Sequence, residues 1–381
     1  MKSSLLHTPE GVRDIYGDEY ARKSKVSEEI LGQIHSYGYE DIQTPAFEFF
    51  DVFSNEIGTT PSRELYKFFD KDGDTLALRP DFTPSIARCA AKYFMEDSTP
   101  LRLCYSGNTY TNNSNLQGKL KEMTEIGAEL ISDDSVYADA EEIALLISSL
   151  QRAGLNDFQI SVGNAEYFKG LCEYAGIDEE TELKLKDFIA GKNYFGAEDL
   201  LVDCGISDDK RTLLLRVMDL FGSDEKILDQ ALESITCERS KEAVIHLKDV
   251  YDVLCRYGVE KYVSFDLGML SKYNYYTGII FKAFTYGAGD AIAKGGRYDS
   301  LLRQFGKNAP AIGFVIVIDD LMNAMSRQNI AVTVPEPVKK ILYNPQNFDE
   351  KLREAEKLRI DGARAALIPE NTLTSKENSN G

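Results

Sequence analysis

The sequence predicts an α+β fold in which a mainly antiparallel, or mixed, sheet is flanked by helices. Short runs of alternating or β-branched residues recur along the chain, and those in the second half have little helical periodicity between them. Helical spacing is concentrated near the N-terminus and in one internal segment. The 381 residues are enough for one large domain with a small appendage.

The first hundred residues alternate between helix and strand signals. Apolar residues at helical spacing are followed by Gly38, a suitable C-terminal stop, and an Asp72-Gly73 turn joins two alternating runs. The predicted elements are a helix over 20–37, a strand over 39–45, hairpin strands over 65–69 and 75–79, and a helix over 83–94.

The same reasoning predicts further elements downstream. Strands are expected over 101–105, 121–130, 158–162, 263–267, 279–285 and 311–317, and helices over 135–153 and 181–190. We interpret about 166–256, which is rich in helical periodicity, as a helical insertion into a domain spanning 1–330.

The C-terminal part predicts a second, smaller unit. Pro335 and Pro337 mark a linker, after which a strand, a helix and a strand form one βαβ unit. Their predicted bounds are 340–343, 348–359 and 363–368, within a small α/β unit over 338–370, and we expect the polar tail 371–381 to be flexible.

Composition argues against several classes of function. The 62 acidic and 43 basic residues give a net charge of −19, and no Lys/Arg cluster offsets it, so we expect no nucleic-acid partner. Without a run of about 20 apolar residues or a signal peptide, we expect a cytoplasmic protein with no membrane contact. Six cysteines scattered singly and three histidines predict no metal site and no cofactor.

Several stretches carry a resemblance to one family. They are Thr8-Pro9-Glu10-Gly11-Val12-Arg13-Asp14, Gly38 to Pro45 with Glu48, Leu78-Arg79-Pro80-Asp81-Phe82-Thr83, Asp266-Leu267-Gly268 with Asn274 to Phe281, and Lys294 to Leu302. In order and spacing they resemble histidyl-tRNA synthetases of class II and their paralogues over about residues 8–325. The second stretch is similar to motif 1, which implies a homodimer.

The resemblance implies a pocket for histidine. Family positions map to Asp81 and Thr83 for the α-amino group, Glu129 for the imidazole, Tyr275 and Tyr276 around the ring, Glu125 where the family usually has glutamine, and Arg297 and Ser271 as further pocket residues. A fixed carboxylate suits an ammonium group, and tyrosines offer an apolar wall with a hydrogen bond. The alternatives are a helix-capping turn at Asp81 and an aromatic hairpin at the tyrosines.

The phosphate-binding cations of a synthetase are missing from the matching positions. The arginine of motif 2 falls at Thr111, the later basic pair reads Lys119 and Lys121, and the arginine of motif 3 is replaced in Asp319-Asp320. The catalytic arginine of the histidine-specific motif aligns with Ser271. Because adenylation needs positive charge on the leaving pyrophosphate, we expect no catalytic residues.

An amino-acid pocket without phosphate cations resembles the regulatory subunits of short-form ATP phosphoribosyltransferase. That resemblance implies a non-catalytic chain required for the first step of histidine biosynthesis, with L-histidine as feedback effector. Its partner would be a short-form catalytic subunit that carries out the reaction of ATP with phosphoribosyl pyrophosphate. The alternatives are a divergent active histidyl-tRNA synthetase, a stand-alone histidine-binding module, and a paralogue that modifies another protein. Because a synthetase has several βα units after motif 3 and about one βαβ unit follows here, we expect no tRNA partner.

Overall fold

The computed structural model describes residues 6–54, 60–112, 120–270, 276–334 and 336–372. The chain divides into two compact units. The first comprises Met1–Ile15 and Val26–Ala331, and the second comprises Tyr16–Lys25 and Val332–Gly381.

Fourteen strands are assigned within the described residues. They are β1 (Glu40–Asp41), β2 (Phe47–Phe49), β3 (Lys67–Phe69), β4 (Thr75–Leu78), β5 (Leu101–Tyr110), β6 (Glu122–Ile131), β7 (Gln159–Asn164), β8 (Phe221–Gly222), β9 (Val263–Asp266), β10 (Ile279–Phe284), β11 (Ala293–Arg297), β12 (Ala311–Val317), β13 (Lys339–Tyr343) and β14 (Ala365–Pro369).

Twelve α-helices accompany the strands in the same described ranges. They are α1 (Gly17–Ser36), α2 (Thr83–Tyr93), α3 (Val136–Arg152), α4 (Ala165–Ala175), α5 (Glu179–Ala190), α6 (Tyr194–Asp203), α7 (Asp208–Arg216), α8 (Lys226–Ser234), α9 (Glu238–Tyr257), α10 (Leu301–Gln304), α11 (Ile318–Arg327) and α12 (Phe348–Ile360). None of the helices described is both long and apolar enough to cross a bilayer.

The main sheet of the first unit has nine strands in the order β1-β5-β6-β12-β11-β10-β7-β9-β8. The pairs β1·β5 and β7·β9 are parallel, and the other six pairs are antiparallel. Helices α3 and α9 pack against each other and against strands of this sheet. The predicted α+β class with a mixed sheet is therefore confirmed.

Strand alternation gives the sheet two chemically different faces. On β6, Ile126, Ala128 and Leu130 are fully buried on one face, whereas Glu125 and Glu129 point to the other. The apolar face continues across β12, where Ile312 lies opposite Leu130 and Phe314 opposite Ala128. The acidic face is the one that carries the candidate site.

Most predicted elements are confirmed, and their lengths show where the sequence was less informative. The predicted strand over 39–45 is too long, because β1 pairs with β5 only through Glu40 and Asp41. The strand predicted over 101–105 is too short, since β5 pairs with β6 as far as Tyr110. Between residues 165 and 257 the chain forms six helices, α4 to α9, interrupted by the two-residue β8.

A second sheet in the first unit, ordered β2-β4-β3, presents an aromatic outer face. Phe47 lies opposite Leu78, and Phe49 and Phe68 both lie opposite Leu76. The three phenylalanines are 51%, 59% and 38% exposed, respectively, in the single chain. The inner face, in contrast, buries Ala77 in a small apolar cluster with Phe53.

The second unit contains the βαβ arrangement predicted for the C-terminus. Strands β13 and β14 pair in parallel, with Ile341 opposite Leu367, and α12 contacts both strands. Ile341 on β13 and Ala355 on α12 are both buried. Pro335 lies outside the described residues.

Arg297 attaches β11 to helix α3 in the first unit. Its Nε and Nη2 donate to Asp139 Oδ1 at 2.9 and 2.5 Å, and its Nη1 donates to Asp133 O at 3.1 Å. Asp139 is fully buried and also contacts His246 Nε2 on α9 at 2.7 Å. Removing one partner of such a buried pair leaves an uncompensated charge.

We therefore predict that Arg297→Met lowers the free energy of unfolding by about 3–5 kcal/mol, measured by urea denaturation. Arg303→Met on α10 is the matched control, because exposed Arg303 pairs only with Asn308 among the contacts described, and we expect a change below about 0.5 kcal/mol. Equal effects of the two substitutions would contradict the structural role of Arg297.

Candidate ligand-binding site

A cavity of about 400 Å³ lies on the acidic face of the main sheet. Residues between β4 and the first turn of α2 line one side, and strands β5, β6, β10, β11 and β12 contribute much of the rest, together with loop residues and Ala190 at the end of α5. The lining includes Asp81, Thr83, Glu125, Glu129, Tyr276 and Tyr298. The structure thus brings five of the residues predicted from the sequence to one cavity, together with Tyr298.

Glycines keep the floor of the cavity open. A Cβ atom at Gly313 would lie 1.8 Å from Glu129 Oε2, and one at Gly127 would lie 2.3 Å from the Tyr105 hydroxyl. A Cβ at Gly296 would lie 2.7 Å from the ring of Tyr276. The bare backbone at these three positions therefore provides the space that the larger side chains occupy.

Glu129 is the most constrained group in the cavity. Thr83 Oγ1 donates to its Oε1 at 2.9 Å, and the Tyr298 hydroxyl donates to its Oε2. Burial raises the pKa of Glu129 to about 8, although these two hydrogen bonds act in the opposite direction. Because this pKa is close to neutral pH, a charged ligand in the cavity shifts the protonation state of Glu129.

Two further carboxyl groups share the cavity with Glu129. Burial raises the pKa of Glu125 to about 7, and the charges of Lys294 and Asp81 lower and raise it, respectively. Asp81 Oδ1 accepts a hydrogen bond of 3.0 Å from the backbone N–H of Thr83 at the start of α2. Three acidic groups in one cavity favour a ligand that carries positive charge or donates several hydrogen bonds.

The segment that carries Asp81 is fixed by a stack of three side chains. The guanidinium of Arg79 lies 3.9 Å from the ring centroid of Phe82, and the rings of Phe82 and Tyr105 stack at 4.3 Å. Arg79 also donates to the backbone carbonyl of Asn108 at 2.8 Å. These contacts hold Asp81 and Thr83 against the sheet.

Comparison with known proteins identifies the family. A family model described as histidyl-tRNA synthetase matches residues 11–321. The ATP phosphoribosyltransferase regulatory subunit of Acetivibrio thermocellus is 40% identical over 94% of this chain and 85% of its own length. The same subunit of Clostridium kluyveri is 38% identical over 95% and 93%. The chain belongs to the histidyl-tRNA synthetase-like family of ATP phosphoribosyltransferase regulatory subunits.

Solved structures agree with this family. A protein of Bacillus halodurans described as an ATP phosphoribosyltransferase regulatory subunit/histidyl-tRNA synthetase is 32% identical, with a TM-score of 0.88 over 99% of this chain and 96% of its own. Histidyl-tRNA synthetase of Nostoc sp. PCC 7120 shares the fold at 21% identity, with a TM-score of 0.79 over 95% and 86%.

Of the residues expected from the family resemblance, one does not line the cavity and two lie outside the described residues. Arg297 does not line the cavity, because it alternates with Gly296 on β11 and points to the opposite face, toward Asp139. Ser271 and Tyr275 lie outside the described residues. Tyr298, which lies in the glycine-rich stretch from Lys294 to Leu302 but was not predicted as a site residue, hydrogen-bonds Glu129.

The family's phosphate-binding positions contain no arginine in this chain. Thr111, at the position of the motif 2 arginine, lines the cavity with an uncharged side chain. Asp319, in the altered motif 3, is buried, and its Oδ2 accepts from the backbone N–H of Thr124 at 2.7 Å. Among the described lining residues, the cations are Lys282 and Lys294.

One group of described residues has the donor atoms and spacing of a metal site. The ligand atoms of His35, Asp41 and Cys104 lie within 4.8 Å of one another, and none of these residues lines the cavity. His35 Nε2 is 3.1 Å from Asp41 Oδ1, and the Cys104 thiol is 3.5 Å from the same oxygen. Hydrogen bonds to the Asp41 carboxylate account for this arrangement without an ion.

The raised pKa of Glu129 predicts how stability depends on pH. Between the ordinary glutamate pKa of about 4.3 and about 8, the native chain keeps a proton that the unfolded chain has lost, so stability falls as pH rises. We expect Glu129→Gln to remove up to about 1.4 kcal/mol per pH unit of this decline, measured by urea unfolding between about pH 5 and 8. Exposed Glu233→Gln is the control, and parallel curves for wild type and Glu129→Gln would contradict the prediction.

Proposed function

We propose that this chain is the non-catalytic, cytoplasmic regulatory subunit of an ATP phosphoribosyltransferase, and that it binds L-histidine in the cavity and conveys feedback inhibition. The catalytic reaction belongs to a separate short-form chain. The observation that supports this proposal most is the retained acidic cavity, built around Glu129, in a chain whose curated relatives bear the name of the regulatory subunit.

Histidine matches the chemistry of the cavity at both of its nitrogen-bearing ends. Its α-ammonium group suits Asp81 and Thr83, while its imidazole suits Glu129 and the aromatic wall of Tyr276. With a pKa near 8, Glu129 either donates a proton to a neutral imidazole or, once ionised, accepts from an imidazolium. The bound ring therefore sets the protonation state of Glu129.

Feedback requires that histidine bind two arrangements of the complex with different affinities. The cavity lies between the helix-anchored segment with Asp81 and the sheet that carries Glu129, so a ligand held by both fixes their separation. We propose that this closure favours the inhibited arrangement of regulatory and catalytic chains.

An active histidyl-tRNA synthetase is the alternative that the fold itself favours. The positions that hold the phosphate-binding arginines in the synthetases are occupied here by Thr111 and by Asp320, which follows buried Asp319. The net charge of −19 also opposes tRNA binding. Histidine-dependent exchange of pyrophosphate into ATP by the purified chain would support the synthetase and contradict the regulatory proposal.

The test adds this chain to a short-form catalytic subunit and measures phosphoribosyl transfer to ATP over a range of histidine concentrations. We expect the wild-type chain to stimulate the reaction and histidine to inhibit it. Asp81→Asn should raise the half-inhibitory histidine concentration about tenfold or more, because it removes the charge that faces the ammonium group.

Asp209→Asn is the matched control, since Asp209 is exposed on α7 and does not line the cavity. Unchanged inhibition in Asp81→Asn would contradict the site assignment. Failure of the wild-type chain to alter the rate would contradict the regulatory role. If calorimetry then still showed histidine binding, the result would support a stand-alone histidine-binding module.

We also propose that two copies of the chain associate through the motif 1 region. The outer face of the β2-β4-β3 sheet follows motif 1 directly and exposes Phe47, Phe49 and Phe68. Contiguous exposed aromatic surface of this kind is typical of a protein interface. The T-shaped contact of Phe47 with Phe68 at 5.7 Å makes this face a preformed surface.

Phe49→Glu should therefore shift the chain from dimer to monomer, measured by light scattering after size-exclusion chromatography, because a buried carboxylate has no partner there. Phe69→Glu is the matched control: Phe69 belongs to the same sheet and is 74% exposed, but alternates to the inner face with Lys67. A dimer in both variants would place the contact elsewhere.

A further inference from the structure

Two lysines lie side by side on the cavity face of the main sheet. Lys282 on β10 lies directly opposite Lys294 on β11 in the antiparallel register, and both line the cavity. Like charges directly opposite each other destabilise a strand pair. A sheet that keeps such a pair beside a cavity indicates that an anion offsets the repulsion when the cavity is occupied.

The protein itself provides little neutralisation of these lysines. Among the described residues, no hydrogen bond or ion pair within 4 Å engages the ammonium group of either one. Lys282 is half-buried, and burial lowers its pKa; Asp290 and Asp266 act against this effect, and Lys294 adds to it. Lys294 also interacts electrostatically with Glu125 and lowers the pKa of that carboxyl group. Both cations are thus available to a ligand.

Strand register places the lysines at a distance from Glu129 that suits an amino acid. Glu129 lies opposite Gly313, which lies opposite Gly296, whereas Lys294 is two residues from Gly296 on the same face of β11. The backbones at Glu129 and Gly296 are thus two interstrand spacings apart, about 10 Å. The long side chains of Glu129 and Lys294 extend into this space and leave room between their charged ends for a small molecule. The two lysines therefore lie across the cavity from Glu129, and Lys294 also lies near Glu125.

We propose that Lys282 and Lys294 bind the α-carboxylate of the amino acid in the cavity. This inference rests on the proposed function, and it assigns the negative group of the ligand, which Asp81 would repel. An ammonium group beside Asp81, an imidazole beside Glu129 and a carboxylate beside the lysines give each polar group of the ligand a complementary partner in the cavity. The lysines would then select intact amino acids over their decarboxylated or reduced relatives.

The test compares L-histidine with L-histidinol, in which a hydroxymethyl group replaces the carboxylate, by calorimetry on the full chain. Wild type should bind histidine roughly tenfold or more tightly than histidinol. Lys282→Met and Lys294→Met, which keep the aliphatic stem, should each reduce this preference, and the double variant should abolish it by weakening histidine alone. Unchanged histidinol affinity in the variants shows that they remain folded.

Lys241→Met is the control, because Lys241 is exposed on α9 and does not line the cavity, and its preference should equal that of wild type. Equal affinity of wild type for both ligands, or a full preference in the double variant, would overturn the carboxylate subsite while leaving histidine binding intact. Absence of binding by either ligand to wild type would overturn the proposed function and the subsite together. A titration with inorganic phosphate distinguishes a carboxylate site from a phosphate site. If the double variant loses phosphate binding but keeps its preference for histidine over histidinol, the proposal is contradicted.

Discussion

The buried carboxyl group of Glu129 is the constraint on which the rest of this site depends. A buried acid is costly unless it is protonated or hydrogen-bonded, and here its donors come from α2 and from the segment after β11. Its position over Gly313 also requires that β12 carry no side chain at that point. Folding of the sheet, docking of α2 and formation of the cavity therefore depend on one another through the contacts of Glu129.

The sequence predicted α1, α2, α3, α5, α12 and most strands well, because their apolar periodicity is strong and several of their ends carry glycines or capping residues. It was less informative for β5, whose second half, Ser106 to Tyr110, pairs with β6 despite a polar composition. It also did not foresee β2, which has only three residues and depends on β4 for its hydrogen bonds. Tertiary pairing determined these strands, and no local pattern encodes it.

The candidate site was predicted to a similar extent. Asp81, Thr83, Glu125, Glu129 and Tyr276 were identified by motif resemblance, and the structure places all five around one cavity. Arg297 was placed on the wrong side of the sheet, because motif matching does not consider strand alternation. The same alternation, applied to Lys294 and Gly296, would have directed attention to the lysine pair. Roles that depend on register require the neighbouring strand to be known.

The ends of the main sheet have a consequence for how this chain behaves in a crowded cell. Its two outermost strands, β1 and β8, are only two residues long, so the unpaired backbone groups at either border are few. Long, flat borders recruit strands from other molecules and promote fibrous aggregation. The two short border strands thus protect this sheet from indiscriminate polymerisation through its main chain.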